Sequence, residues 1–468
     1  MSAQRQSGFV LIMLLLSGPI AHAQESTNPL ATPGRPGSNR TPAHPEDNAY
    51  FRSTIVKLGG GARVGLFYEP KTLAANAHVA VLYSDRNFGF DAPAAELARR
   101  GYRVLYVSYP PLAAGEIGLP LDGFLEASRG ILYLRSIPGV EHVVIEGWGA
   151  GAASMTLYAD VAAHGAAACQ GKAVIYPCET ARATGLARPD GVILFDPGPG
   201  AASRTMDIDP AYDGSARTRS NLDMFAAANG YDSSTGTAKY FKDFRARYYA
   251  AQSASSNHIL DQALARLKSL EQGQGKSADE PFFVPGAINA GASTSLHHAD
   301  LSILSHSKRP HVLLKADGSR PVVILRSVRP TTGPVGDDAV QKAVSTTAHA
   351  ARADYTLREY LASDAIRTTR NFALTEDDIV GVDWKSSNVG TPAQAEGVSV
   401  PTLVMTSTCF QFVVISEIVY DHLAAKDKTF GATEGSEHEF TPCAPQYGDT
   451  KKRLFDFVGD WLGKPGRF

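Results

Sequence analysis

The chain is short of cysteine, of tryptophan and of surplus charge, and each shortage narrows the field. Its 468 residues carry 45 Lys and Arg against 47 Asp and Glu, a formal net charge of −2. No basic surface therefore marks it for nucleic acid or for an anionic membrane. Beyond the N-terminus no apolar run is long enough to span a bilayer. Histidines are present but never at the spacing of a zinc signature, so no metal and no cofactor is expected. What remains is ordinary globular material, 44% hydrophobic and 20% charged. At this length that means one large domain with an insertion, or two to three domains.

The first residues read as a processing segment. Arg5 precedes an apolar core, Phe9 to Leu16, and Ala21-His22-Ala23 fits the small-x-small cleavage pattern. The expected organisation is a signal peptide at 1–23 and a loose or disordered leader at 24–48, rich in Pro, Ser, Thr, Asn and Gly. Export to the periplasm or medium follows, with no membrane attachment after cleavage. The four cysteines then suggest two disulfides. Three pairings are open; neighbour pairing, Cys169 with Cys178 and Cys409 with Cys443, is preferred.

Val143 to Ala152 (VVIEGWGAGA) is the stretch around which the rest is arranged. Val143, Val144 and Ile145 form a short buried-strand run, and the residues from Ala152 to Tyr158 look helical. A strand that turns directly into a helix through small residues is the setting of a G-x-S-x-G nucleophile elbow. Gly147 and Gly151 fit the outer positions, but the middle one is Gly149, so the expected serine is missing.

On either side, strands alternate with helices. Strands are expected at Phe51–Lys57, Arg63–Tyr68, His78–Tyr83, Tyr102–Val107 and Gly191–Phe195, with helices over Pro93–Arg100 and Leu121–Ile137. Such alternation gives an α/β fold, a mostly parallel sheet with helices on both faces. HVAVLYSDRNFGFDAPAAELARRGYRVLYVSYP and ILYLRSIPGVEHVVIEGWGAGA resemble the first half of an α/β-hydrolase. Pro401–Thr406 resembles the seventh strand of that fold, Gly435 to Phe440 its histidine loop, and Leu454–Leu462 its closing helix. The resemblance implies core halves at 49–200 and 396–468, separated by a large, mainly helical cap insertion at 201–395. Within the insertion, helices are expected over Ala238–Glu271 and Val340–Leu361, with a hairpin over Pro310–Val328 that turns at Asp317-Gly318.

The resemblance also assigns candidate roles. His438 stands where the family places its general base. The carboxylate that would orient it is missing from Ser407 to Phe412, which leaves Glu417, in a helical-looking segment, or Asp196, at the end of the sixth strand. Oxyanion and substrate contacts fall to Gly149, the N–H of Ala150, Trp148 beside them, and Ser84 and Arg86 in the loop after the third strand. Ser154 lies about a turn and a half along the helix and reads as packing. His297, His298, His306, Asp300, Arg326 and Arg329 in the insertion read more simply as structural than as ligands.

The expected function is action on a small carbonyl or ester-type compound by His-assisted acid–base chemistry, without a serine acyl-enzyme. The alternatives are a non-catalytic ligand-binding pseudo-hydrolase and a conventional esterase with an unrecognised nucleophile. The partner is a small-molecule substrate or ligand. Nothing in the residues sets an oligomeric state.

Overall fold

The computed structural model describes residues 42–59, 64–85, 88–108, 121, 123–213, 216–275, 277–284, 286, 295–331, 333–336 and 355–468. The signal peptide, most of the leader, Arg86, and residues 340–354 of the second expected insertion helix lie outside them. The leader is shorter than expected at its far end. Residues 42–48 pack onto the fold: the Ala43 N–H donates to the Phe88 carbonyl (2.8 Å), and the Ser53 N–H donates to Glu46 O (2.8 Å).

Ten strands form the central sheet: β1 (Phe51–Lys57), β2 (Val64–Pro70), β3 (Val79–Ser84), β4 (Arg103–Val107), β5 (His142–Trp148), β6 (Gly191–Phe195), β7 (His306–Leu314), β8 (Val322–Arg326), β9 (Thr402–Ser407) and β10 (Lys428–Thr433). Their spatial order is β1-β2-β4-β3-β5-β6-β9-β10-β7-β8. From β4 across to β7 every neighbouring pair is parallel, while β2 is antiparallel to β1 and β4 and β8 is antiparallel to β7. The central strands are near-continuous apolar runs because both faces are covered. On one face Val143 and Ile145 pack with helices α2 (Phe124–Arg135) and α3 (Ala150–His164). On the other, Val144 and Trp148 pack with α1 (Ala92–Arg99) and α6 (Thr450–Leu462). Asp449 caps α6 by accepting from the Lys452 N–H at 2.8 Å.

The insertion differs from a detached cap. Its longest element, α4 (Lys242–Glu271), is helical as expected and buries Phe244, Tyr248, Tyr249 and Leu260. It is pinned to a two-stranded ribbon by Asn257 Nδ2 donating to Thr368 O (2.8 Å). The expected hairpin, however, is part of the core: β7 pairs in parallel with β10, Val312 opposite Gly431. The physical reason is the outer edge of β10, whose N–H and C=O groups would otherwise lie unpaired. Nothing in the alternation of a hairpin says which edge it will cover. Of the expected Val340–Leu361 helix, the described part is a two-residue strand, Tyr355–Thr356, followed by a short helix at Leu357–Ser363.

Two disulfides join Cys169 to Cys178 and Cys409 to Cys443. No helix among the described residues is long and apolar enough to cross a membrane.

Candidate active site

Strand β5 runs into α3 at a sharp turn. Close approach demands glycine at position 147, where a Cβ would lie 2.4 Å from the Gly151 carbonyl oxygen. Gly149 holds φ 55° and ψ −117°, a strained region for any residue with a side chain. Its N–H donates to Phe195 O (2.9 Å), locking the turn to β6. The first N–H groups of α3, on Ala150 and Gly151, have no intrahelical partner available and no hydrogen bond among the described residues. The end of β3 packs on this turn: a Cβ on Gly151 would lie 3.0 Å from the Ser84 carbonyl oxygen. The Ser84 hydroxyl is fully enclosed and has no hydrogen-bond partner among the described residues.

His438 is presented by a tight loop after β10. The Phe440 N–H donates to Glu437 O (3.0 Å) and the Glu437 N–H to Thr441 O (2.8 Å). Trp148 Nε1 donates to the His438 carbonyl oxygen at 2.7 Å, so the elbow strand itself fastens the loop. The imidazole lies between two flat walls, Trp148 and Phe410, each 4.4 Å away centroid to centroid, with Phe412 edge-on at 5.8 Å. These phenylalanines follow β9 directly, and sequence reasoning passed them over while looking there for a carboxylate.

His438 Nδ1 is 3.0 Å from Asp196 Oδ2. Asp196 is fully buried at the end of β6, with φ 44°. Its other oxygen accepts from Thr406 Oγ1 (2.8 Å) and the Ser407 N–H (2.7 Å). With Oδ1 so occupied, Oδ2 accepts from Nδ1–H, and that tautomer leaves the lone pair on Nε2. Nε2 points at the elbow: a Cβ built on Gly149 would lie 3.0 Å from it. No hydroxyl or thiol among the described residues bonds to Nε2. Ser154 Oγ donates to its own helix at Ala150 O (3.2 Å), and Ser407 Oγ donates to Glu437 O (2.9 Å).

Glu417, the other candidate acid, is not at this site, which corrects that expectation. It lies in α5 (Val413–His422) and accepts from His311 Nε2 (2.7 Å) and from the N–H groups of Lys308 (2.6 Å) and Arg309 (3.0 Å). It stitches β7 to α5. Burial alone would raise its pKa, but these donors prevail and hold it below the ordinary carboxylate value. Arg329 is spent on the carbonyl oxygens of Leu304, His297 and Ile303; burial lowers its pKa to about 10. Arg326 sits at the end of β8, exposed. His297 bonds Ser295 Oγ (2.7 Å) and Gln411 Oε1 (3.1 Å). Burial depresses the pKa of both His297 and His298, the latter to about 3, so the pair is neutral. Among the described residues no three His, Cys, Asp or Glu side chains gather as a metal site. A cavity of about 220 Å³ between the Cys169–Cys178 loop and the insertion, lined by Tyr176, Arg358 and Asn388 among others, shares no lining residue with the His438 site.

No family model and no curated relative matches the sequence. Solved structures do. An esterase of the bacterial hormone-sensitive lipase family is 8% identical, covering 89% of this chain and 84% of its own, with a TM-score of 0.37. Carboxyl esterase 2 from the mycorrhizal fungus Tuber melanosporum is 12% identical over 89% and 88%, with a TM-score of 0.37. MenH from S. aureus is 10% identical over 85% and 97%, with a TM-score of 0.33. The fold rests on the molecule's own features: the strand order of the central sheet, the β5–α3 elbow, the acid after β6 and the histidine after β10. Those features together make the fold that of an α/β-hydrolase.

Proposed function

We propose that the chain acts on a small carbonyl or ester-type compound by acid–base chemistry at His438, oriented by Asp196, with no acyl-enzyme at position 149. The observation that supports this reading is the bare Nε2 held 3.0 Å from where an elbow side chain would begin. On an ester, a water donates to Nε2. Its oxygen adds to the carbonyl carbon as its proton passes to the imidazole. The carbonyl oxygen takes the negative charge and accepts from the Ala150 N–H at the positive end of α3. The imidazolium then returns the proton to the departing alkoxide, leaving acid and alcohol. Trp148, Phe410 and Phe412 fix the ring plane, and Ser84 belongs to the oxyanion side.

The test is a panel of esters and lactones turned over by the wild type and by His438→Ala, alongside a fluorophosphonate probe. Activity lost in the variant, with no labelling of the wild type, supports the reading. Labelling would reveal a reactive serine and restore an ordinary acyl-enzyme route. Equal inertness of both proteins, with a ligand still bound, would leave the second reading: a pseudo-hydrolase that only holds its ligand. Gly149 favours that alternative, since it deletes the nucleophile from an otherwise complete elbow. The two disulfides and the signal-peptide pattern at 1–23 support export to the periplasm or medium.

A further inference from the structure

The space above Gly149 has a definite hydrogen-bonding demand. On one side stands a lone pair, Nε2 of His438, in a residue only 6% exposed and with no partner on that nitrogen among the described residues. On the other stand donors, the free N–H groups of Ala150 and Gly151 in the first turn of a 15-residue helix. The Ser84 hydroxyl, enclosed beside that turn, is a further unspent donor. A ligand that satisfies both sides must bring an O–H for Nε2 and an acceptor oxygen for the helix, close together. A plain ketone or ester supplies only the acceptor. A carboxylate supplies only acceptors, and Asp196 behind the ring opposes a second negative charge.

We infer that the ligand of this site carries its own hydroxyl beside its carbonyl: an α-hydroxy carbonyl compound whose O–H donates to His438 Nε2 in the room a serine side chain would fill, while its carbonyl oxygen accepts from the Ala150 N–H. This rests on the reading of His438 and Asp196 as the working pair and names a ligand class for it; Nε2 has one lone pair, so this hydroxyl and the water of the ester route are alternative occupants of the same place. The walls of Trp148, Phe410 and Phe412 are apolar and flat, so an aryl substituent suits them. The hydroxyl takes the volume that Gly149 leaves open, which gives the glycine a purpose: any side chain there begins 3.0 Å from Nε2 and fills that volume.

The test is a matched pair of probes, phenacyl alcohol and acetophenone, identical but for the hydroxyl. Calorimetric titration into the full mature chain should show phenacyl alcohol binding roughly five- to tenfold tighter, the worth of one added hydrogen bond to an otherwise unpaired group. Gly149→Ala should abolish the preference by filling the hydroxyl's place. Because that backbone is strained for alanine, His438→Ala is the second variant, and it should bind the two probes equally. Equal affinities in the wild type overturn the inference, and so does a preference that survives both substitutions. Neither result touches ester turnover that depends on His438. Loss of that dependence sinks the underlying reading instead.

Discussion

Among the described residues two histidine–carboxylate pairs have both side chains largely buried, and they spend opposite nitrogens. His438 meets Asp196 through Nδ1 at 3.0 Å; His311 meets Glu417 through Nε2 at 2.7 Å. Both carboxylates take two further donors, Thr406 and Ser407 at Asp196, Lys308 and Arg309 at Glu417. Both rings sit among aromatics, His438 stacked between Trp148 and Phe410, His311 edge-on to Tyr420 and Phe430. The difference is which nitrogen is spent. The carboxylate at Nδ1 leaves His438 with its outer nitrogen bare and aimed at Gly149. The carboxylate at Nε2 consumes the outer nitrogen of His311 and closes the seam between β7 and α5. A buried His–carboxylate pair is therefore no sign of chemistry until the free nitrogen is located.

The comparison breaks most sharply under one substitution made at both sites. Asp196→Asn preserves shape and tolerates the positive φ, since asparagine readily adopts it. Its amide can still accept on Oδ1 from Thr406 and Ser407, but it then offers N–H where Nδ1–H needs an acceptor. The imidazole must switch tautomer, and Nε2 loses its lone pair. Turnover should fall on the order of 10²–10⁴-fold with little change in melting temperature. Retained turnover would show that the base is not oriented by Asp196. Glu417→Gln should do the reverse. It removes a buried charge on which three donors converge and should cost about 3 kcal/mol or more in urea unfolding, while the bond between His438 and Asp196 is untouched. The loss should also be pH-dependent. Glu417 has a depressed pKa in the fold, so its contribution is present above the ordinary carboxylate value and disappears as pH falls through the lower folded one. An acid limb in the wild type that is unchanged in Glu417→Gln would contradict this.

How much of this was written in the residues follows the same division. The sheet was legible because its strands are apolar runs bounded by turns, and β1 and β6 fall where the pattern puts them, Phe51–Lys57 and Gly191–Phe195. The elbow was legible because close packing at Gly147 admits no side chain. Asp196 and Glu417 were not separable, because each follows a plausible strand or helix and only the fold brings one of them to His438. The hairpin edge was hidden for the same reason: pairing of Val312 with Gly431 is a contact across more than a hundred positions. Phe410 and Phe412 were hidden because a loop aromatic carries no sign of what it will stack upon.

A third carboxyl sharpens the contrast by having no hydrogen-bond partner among the described residues. Glu146 lies on β5 two residues before Trp148, on the same face of the strand, fully buried, and neither of its oxygens is hydrogen-bonded among the described residues. Burial raises its pKa well above the ordinary 4.5, favouring the neutral acid. The sign is opposite to that of Glu417: stability is greatest below pH 4.5, where folded and unfolded chains are both protonated. It then declines as the unfolded chain ionises first, by up to about 1.4 kcal/mol per pH unit, until pH passes the raised folded value. Glu146→Gln should lack this slope, so its advantage over the wild type grows from acid toward alkaline pH in parallel denaturation curves. Parallel curves at all pH values would mean the carboxyl is satisfied in solution.

The smallest expected effect tests the vacancy itself. Ser154 is the serine nearest to Gly149 along the chain, and its hydroxyl is turned back onto its own helix at Ala150 O, 3.2 Å away. Such a bond within a helix adds almost nothing to stability. Ser154→Ala should therefore change unfolding by less than about 0.5 kcal/mol and leave turnover as it was. If turnover collapsed instead, the hydroxyl would have to leave Ala150 O and reach His438 during the reaction. His438 would then serve a serine, and the proposed route without an acyl-enzyme would fall.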